Sequence, residues 1–178
     1  RTTVTRRSFV TAAAKAGAAA SVFMIVPRHV LGRGYLAPSD KVDVAFIGVG
    51  GMGAHVRAPA ALADVNVHSL CDVDWRYAYA ESTFAKYPKA QRYKDYREMI
   101  DREAANVDAI VISTPDHSHA AATMLALRAG KHVYLQKPLT RTIFEARVRQ
   151  QEAARRPKQA TQMGNQGHAN EGVRQVRE

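Results

Sequence analysis

The sequence predicts an α/β fold built on a doubly wound parallel sheet. From Lys41 onward, short apolar runs alternate with longer helix-compatible runs, which is the pattern of parallel strands joined by helices. The strand-like runs are apolar on both faces, as expected for a sheet covered by helices on each side. A glycine-rich turn, G-V-G-G-M-G over residues 48–53, follows the first apolar run directly. These three observations define the predicted fold class.

The first unit of this fold is a strand, a tight turn and a helix. Val42 to Ile47 is the predicted strand, and Met52 to Ala63 is compatible with a helix. Gly48, Gly50 and Gly53 form G-x-G-x-x-G between them. In a dinucleotide site, the first glycine permits the turn, the second lets the backbone approach a pyrophosphate, and the third lets the helix pack close to the strand. The helix N-terminus then points free N–H groups at the phosphates.

The second predicted strand, Val65 to Cys71, is followed by an acidic residue. Asp72 lies 19 residues after Gly53, where a carboxylate can accept hydrogen bonds from the adenosine ribose hydroxyls. This position favours NAD over NADP. Arg76 follows closely and could accommodate a 2′-phosphate, so NADP stays open. A βαβ turn that binds no nucleotide is the competing interpretation of the same pattern.

The remaining elements continue the alternation of helix and strand. The predicted strands are a short one near Arg92–Tyr93 and longer ones over Val107 to Ser113, His132 to Gln136 and Gln159 to Gly164. The first two predicted helices run from Trp75 to about Tyr87, capped by Asp74, and from an Asp95–Glu98 capping box through Arg102. The last two are entered through residues 114–119, ending near Ala129 before Gly130, and through a Thr142–Glu145 capping box, ending near Arg156.

Residues able to contact a ligand follow the ends of these strands. Because parallel strands share one carboxyl edge, ligands of doubly wound sheets collect beyond that edge. We therefore expect five segments, distant in sequence, to converge on one crevice. They are Gly48–Gly53, Asp72, Thr114–Pro115, Gln136–Pro138 and Asn165–Gln166.

The net charge of +10 is distributed unevenly along the chain. Residues 1–41 hold seven basic residues against one acidic residue, which leaves only +4 for the other 137 residues. No basic stripe with interleaved aromatics follows, so a nucleic-acid partner is not expected. Thr5-Arg6-Arg7-Ser8-Phe9 and the alanine-rich segment after it resemble a twin-arginine signal. An amphipathic or disordered tail is the alternative.

Cysteine and histidine usage argues against a metal site. Cys71 is the only cysteine, which excludes an internal disulfide and a cysteine cluster for zinc, and it is expected to act as a small buried hydrophobe. His117 and His119 are expected to cap or pack the following helix, because no third ligand is apparent. His168 either reaches the crevice or faces solvent.

Taken together, the motifs resemble one enzyme family. G-V-G-G-M-G, C-D-V-D, S-T-P-D-H-S-H, A-G-K-H-V-Y and Q-K-P-L look like the N-terminal nucleotide-binding half of the Gfo/Idh/MocA oxidoreductases, with spacing retained from Lys41 to Gln166. With the paired arginines and M-G-N-Q-G-H, the chain resembles an exported branch of that family. The resemblance implies a Rossmann-like NAD(P)-binding domain and an exported, periplasmic or extracytoplasmic protein.

The resemblance also implies roles for individual residues. Family members pass hydride between a sugar or cyclitol carbon and nicotinamide C4, with Lys137 expected beside the nicotinamide and substrate as the catalytic residue. Gln136 departs from the family's commoner E-K-P, which removes a carboxylate next to that lysine. The expected cofactor-binding residues are Gly48, Gly50, Gly51, Met52, Gly53, Asp72, Thr114, Pro115, His119, Pro138 and Gln166.

The expected organisation is a signal and linker over 1–37, a nucleotide-binding domain over 41–166, and the start of a truncated helix over 167–178. The chain is expected to be partial, without the family's C-terminal α/β substrate domain, and inactive alone. Expected partners are a sugar-like small molecule, the export machinery and, at full length, further copies of itself. A non-catalytic dinucleotide-binding module or cofactor-holding partner is the alternative function. A DNA-binding NAD sensor is disfavoured, since no helix-turn-helix is evident.

Overall fold

The computed structural model describes residues 36–37, 40–51, 59–169 and 171–177. The chain divides into two compact units, residues 1–39 and 40–178, and the sheet belongs to the second. The predicted signal over 1–37 lies outside the described residues except at its last two positions. Residues 52–58 of the first predicted helix lie outside them as well.

All strands of the described region form one parallel sheet. The strands are β1 (Val42–Ile47), β2 (Val65–Cys71), β3 (Gln91–Tyr93), β4 (Ala109–Ile112), β5 (His132–Gln136) and β6 (Thr161–Gly164). Their spatial order is β3-β2-β1-β4-β5-β6, with parallel pairing throughout. The strand order reverses between β1 and β4, and ligands of doubly wound sheets bind at such a point.

Helices connect the strands and cover both faces of the sheet. They are α1 (Ala78–Lys86), α2 (Tyr96–Glu103), α3 (His119–Arg128), α4 (Ile143–Ala154) and α5 (Glu171–Arg177). Short 3-10 turns occupy Pro59–Ala61, Ala104–Asn106, Asp116–Ser118 and Gln166–Ala169. Among the described residues, no helix combines the length and apolar composition needed to cross a bilayer.

The core consists of two apolar layers, one on each face of the sheet. Along β1, Val44 and Phe46 belong to one layer, and Ala45 and Ile47 belong to the other. All four side chains are at most 4% exposed. This alternation follows from the period of two along a strand, and it explains why the strand is apolar from Val44 to Ile47. The predicted doubly wound fold is confirmed.

Several predicted boundaries agree with the structure residue for residue. Strands β1, β2 and β5 have the predicted limits. Asp95 caps α2 as predicted by accepting the Arg97 N–H, and Gly130 has the positive φ of +82° expected after a helix end. At α4 the Thr142 hydroxyl accepts the Glu145 N–H, and the Glu145 carboxylate accepts the Thr142 N–H. That reciprocal pair is the predicted capping box.

Other boundaries were predicted wrongly, for local reasons. Asp74 does not cap α1; its carboxylate accepts the Arg76 N–H in a turn, and the helix begins only at Ala78. A short side chain that bonds the backbone two residues ahead competes in this way with helix formation. At α2, Glu98 forms an ion pair with Arg102 instead of completing a capping box. The predicted strands over 107–113 and 159–164 are shorter in the structure, as β4 and β6.

Candidate functional site

The glycine turn after β1 lies against the end of β4. Gly48 has φ +80°, a conformation that side chains disfavour. A Cβ at this position would lie 2.8 Å from the Ser113 carbonyl group and 2.9 Å from the Thr114 amide nitrogen. Both neighbours are backbone atoms that cannot turn away. Gly48 is therefore required both by its own dihedral angle and by the approach of the two loops at the switch point.

The Asp72 carboxylate, directly after β2, holds this turn in place by accepting hydrogen bonds from its backbone. Its Oδ2 accepts the Val49 and Gly50 N–H groups at 2.9 and 3.0 Å, and its Oδ1 accepts the Asp74 N–H at 3.0 Å. An ionised carboxylate has about four acceptor sites, so these bonds leave about one of them for a ligand. The sequence predicted a ribose contact for Asp72 but not this bracing. The carboxylate fixes the backbone that a pyrophosphate would approach.

Side chains from α1 and the turn before it pack on the same loop. The Thr83 hydroxyl lies 3.2 Å from the Val49 carbonyl oxygen and 3.0 Å from the Tyr79 carbonyl oxygen, so its one O–H is shared between the loop and the helix. A Cβ on Gly50 would meet the Tyr77 ring at 2.8 Å, so the absence of a side chain at residue 50 leaves room for that ring. Tyr77 is 47% exposed and can therefore turn away. Sequence reasoning missed both contacts, because neither residue belongs to a recognisable motif.

A buried histidine joins the loops that follow β4 and β5. His119, at the start of α3, is 1% exposed. Its Nε2 lies 2.7 Å from the Thr114 carbonyl oxygen, and its Nδ1 lies 2.6 Å from the Pro138 carbonyl oxygen. Carbonyl oxygens only accept, so the ring bonds both of them when it carries an N–H on each nitrogen. The buried His119 ring thus lies between the loops that follow β4 and β5, and each ring nitrogen faces one of the two carbonyl oxygens.

The loop after β5 presents the predicted lysine. Gln136 is 4% exposed, whereas Lys137 and Pro138 are exposed. The peptide bond between Lys137 and Pro138 is cis. Gly164 ends the neighbouring strand β6, and a Cβ there would lie 2.8 Å from the Gln136 amide nitrogen. The ends of β5 and β6 therefore contact each other at the carboxyl edge of the sheet.

The structure brings most of the predicted site residues to this one edge. The loops at the strand ends contain Gly48, Gly50, Gly51, Asp72, Thr114, Pro115, Lys137 and Pro138. His119, at the start of α3, contacts the backbone of two of these loops. Met52 and Gly53 lie outside the described residues, as does the side chain of Gln166. Within the described part of the chain, the buried Thr114 Oγ1 and Gln136 Nε2 have no hydrogen-bond partner. Buried polar atoms without a partner are expected where a polar ligand such as a dinucleotide supplies the missing hydrogen bonds.

Cys71, directly before Asp72, provides a test of this packing. Burial, followed by the charge of Asp72, raises the pKa of its thiol to about 12 from 9.0. At pH 8 we expect a thiol reagent such as DTNB to label the native protein at least about a thousandfold more slowly than the denatured protein, since the thiolate is the nucleophile. Because this is the only cysteine, the signal has one source. Native labelling within tenfold of the denatured rate would contradict the burial.

The same thiol makes the free energy of unfolding depend on pH in the alkaline range. The unfolded thiol ionises near its ordinary pKa of 9.0, and the native thiol only near 12. The unfolded state therefore holds fewer protons between these values, so the free energy of unfolding falls as pH rises through them. Cys71→Ser should reduce that slope in denaturant titrations between pH 9 and 11.

The sheet order, the glycine turn at the switch point and the acidic residue after β2 define a dinucleotide-binding domain of the Rossmann class. A family comparison agrees with this class. Residues 42–164 match the Gfo/Idh/MocA model, described as an oxidoreductase family with an NAD-binding Rossmann fold. The match covers more than half of the chain, and the chain belongs to this family.

Individual relatives place the match in the first part of longer proteins. An α-N-acetylgalactosaminidase from Shewanella oneidensis is 31% identical over 138 residues, covering 71% of this chain and 30% of the relative. Myo-inositol 2-dehydrogenase from Lactobacillus plantarum superposes with a TM-score of 0.68 at 28% identity, over 76% of this chain and 40% of that structure. Scyllo-inositol dehydrogenase from Lactobacillus casei, with bound NAD(H) and scyllo-inositol, gives 0.66 at 24% identity, over 76% and 39%. The chain thus spans about a third of the curated relative.

Proposed function

We propose that this chain is the nucleotide-binding domain of an exported NAD-dependent oxidoreductase that acts on a sugar or cyclitol by hydride transfer. The observation that carries the proposal is the series of contacts from Asp72 through the glycine turn to Thr114, and from Thr114 through His119 to Pro138. These contacts assemble a phosphate-binding turn, a ribose acceptor and a lysine along one edge. The inositol dehydrogenases and the glycosidase among the relatives support a polyhydroxylated substrate.

The proposed roles follow from the position of each residue. The turn at Gly48 and the absence of side chains at Gly50 and Gly51 would let the backbone approach the pyrophosphate, and Asp72 would accept a ribose hydroxyl at its remaining site. Thr114 carries a buried hydroxyl that has no partner among the described residues, and this hydroxyl is available to the nicotinamide half. When bound, NAD supplies the hydride acceptor. The Lys137 ammonium would lie over that half and stabilise negative charge developing on the substrate oxygen.

Export rests on the N-terminal motif alone. The paired residues Arg6 and Arg7, followed by a polar residue and Phe9, support a twin-arginine route and an extracytoplasmic location. A second candidate function is a non-catalytic dinucleotide-binding module, which the matched description over residues 42–164, an NAD-binding Rossmann fold, would also fit. Hydride transfer from a polyol to NAD by a protein that contains this domain would decide between the two.

The binding step is tested by titrating NAD and NADP into the purified chain. Trp75, the only tryptophan, lies three residues after Asp72, so its fluorescence reports binding nearby. We expect NAD to bind at least about tenfold more tightly than NADP, because the carboxylate repels a 2′-phosphate. Asp72→Ala should weaken NAD binding by about tenfold or more, since the variant loses both the ribose acceptor and the brace of the turn.

A neighbouring carboxylate provides the matched control for this titration. The Asp74 side chain is exposed, and among the contacts that the structure describes its carboxylate accepts only the Arg76 N–H. Asp74→Ala removes the same charge from the same loop and should leave NAD affinity within about twofold. Equal NAD affinities for the wild type and Asp72→Ala, or no binding by either, would refute the role of Asp72.

A further inference from the structure

Helix α4 carries a buried cation that the nucleotide site does not use. Arg149 is 9% exposed, and its Nε atom makes no hydrogen bond to any residue that the structure describes. Burial lowers the pKa of the Arg149 guanidinium, yet an arginine stays protonated at neutral pH. Removing such a charge from water is costly unless an anion compensates for it. The position therefore calls for a partner.

The carboxylates of the same helix are already engaged. Glu145 accepts the Arg141 and Thr142 N–H groups in the capping box. Glu152 pairs with a cluster of other arginines, Arg128, Arg155 and Arg156. No ion pair within the described part of the chain includes Arg149. No described residue therefore supplies a compensating charge to Arg149.

Arg149 lines a cavity of about 340 Å³ between α4, the edge strand β6 and the loop that follows Pro138. The walls are mainly apolar, with a few amides and hydroxyls, and they contain no acidic side chain. Beside Arg149 the lining residues are Leu139, Thr140, Ala146, Gln150, Ala153, Thr161, Gln162 and Met163. The volume falls near the lower end of the range for small-molecule pockets.

We propose that this cavity is a binding site for a small organic acid whose carboxylate pairs with Arg149. The planar guanidinium offers parallel N–H donors that match the two oxygens of a carboxylate. Leu139, Ala146 and Met163 provide an apolar wall for a short carbon body. The site is separate from the nucleotide crevice, and its test does not depend on NAD binding.

The test uses succinate and inorganic phosphate as probes, with uncharged succinamide as the control ligand. In an anion-poor buffer, saturating succinate should raise the melting temperature of the wild-type chain by about 5 °C or more. Succinamide should not raise it. A response to phosphate equal to that to succinate would overturn the carboxylate assignment in favour of a general anion site.

Two arginines of one helix allow a matched comparison. Arg149→Met should abolish the succinate response, and its ligand-free melting temperature should equal or exceed that of the wild type, because an uncompensated charge is removed. Arg147→Met, at an exposed position of α4, should keep the full response. Arg149→Lys keeps the charge without the planar fork and should bind about tenfold more weakly, which preserves the test if the methionine variant does not fold.

Other outcomes would overturn the proposal. If succinate leaves the wild type unchanged, or stabilises Arg149→Met equally, the cavity does not bind the acid. A second copy of the chain could instead supply the carboxylate. Sedimentation as a dimer that Arg149→Met converts to a monomer would establish that source and exclude the small ligand.

Discussion

Replacing Gly48 with alanine is expected to destabilise the domain by about 3 kcal/mol, which combines two costs. A left-handed backbone costs a side-chain-bearing residue about 1–2 kcal/mol, and overpacking against fixed atoms costs about 1–3 kcal/mol. The fixed atoms are those of Ser113 and Thr114, 2.8–2.9 Å from the new Cβ. In a domain of this size the melting temperature should fall by about 10 °C, as measured by circular dichroism.

Gly130 separates the cost of the left-handed backbone from the cost of overpacking. It has nearly the same φ as Gly48, but a side chain there would meet no fixed atoms. Its φ is +82°, close to the +80° of Gly48, and a Cβ there would meet nothing within 4 Å. Gly130→Ala should therefore cost only about 1 kcal/mol, partly offset by the stiffer unfolded chain. Equal losses for the two variants would contradict the close approach of β1 and β4 at the switch point.

The strands were predictable because burial on both faces leaves a local signature in the sequence. Strand β1 is apolar from Val44 to Ile47, strand β2 ends with the buried pair Leu70 and Cys71, and the limits of both strands agree with the prediction. The start of α1 was not predictable in the same way. Asp74 was read as a helix cap, yet its side chain bonds the Arg76 N–H in a turn that precedes the helix. A helix cap and a turn both provide a backbone N–H for the Asp74 carboxylate, so the sequence alone does not distinguish them.

The site was predictable only as a set of loops. Parallel topology brings the ends of β1, β2, β4 and β5 together once the order of strands is known. The contacts between those loops depend on how side chains pack across elements. The bracing of the glycine turn by Asp72 therefore has no signature that sequence reasoning could use. The same is true of the isolation of Arg149, which appears only when the partners of its neighbours are known.

The second large effect is expected at His119, which we propose positions the loop of Lys137. Its ring is the contact between the Thr114 and Pro138 carbonyl oxygens, at 2.7 and 2.6 Å. His119→Ala removes the ring, and a buried carbonyl group that loses its donor costs about 1–3 kcal/mol in addition to the lost packing of the ring. We expect a loss of about 3 kcal/mol in the free energy of unfolding and about a tenfold loss of NAD affinity.

Comparison with His117 distinguishes this role from general packing. His117 is exposed on the short turn that precedes α3, and His117→Ala should change stability by less than about 0.5 kcal/mol. His119→Gln retains one amide donor and should fall between His119→Ala and the wild type in NAD affinity.

Amide hydrogen exchange provides the decisive readout for His119. If the ring holds the two loops together, exchange in His119→Ala should accelerate at Thr114 and Lys137 while β1 stays protected, because local opening requires only the lost bridge. If His119 merely fills the core, the variant loses stability but keeps the wild-type NAD affinity and loop exchange at temperatures where it is folded. The effect on loop exchange thus decides whether a residue that is 1% exposed acts on the site through the backbone it binds.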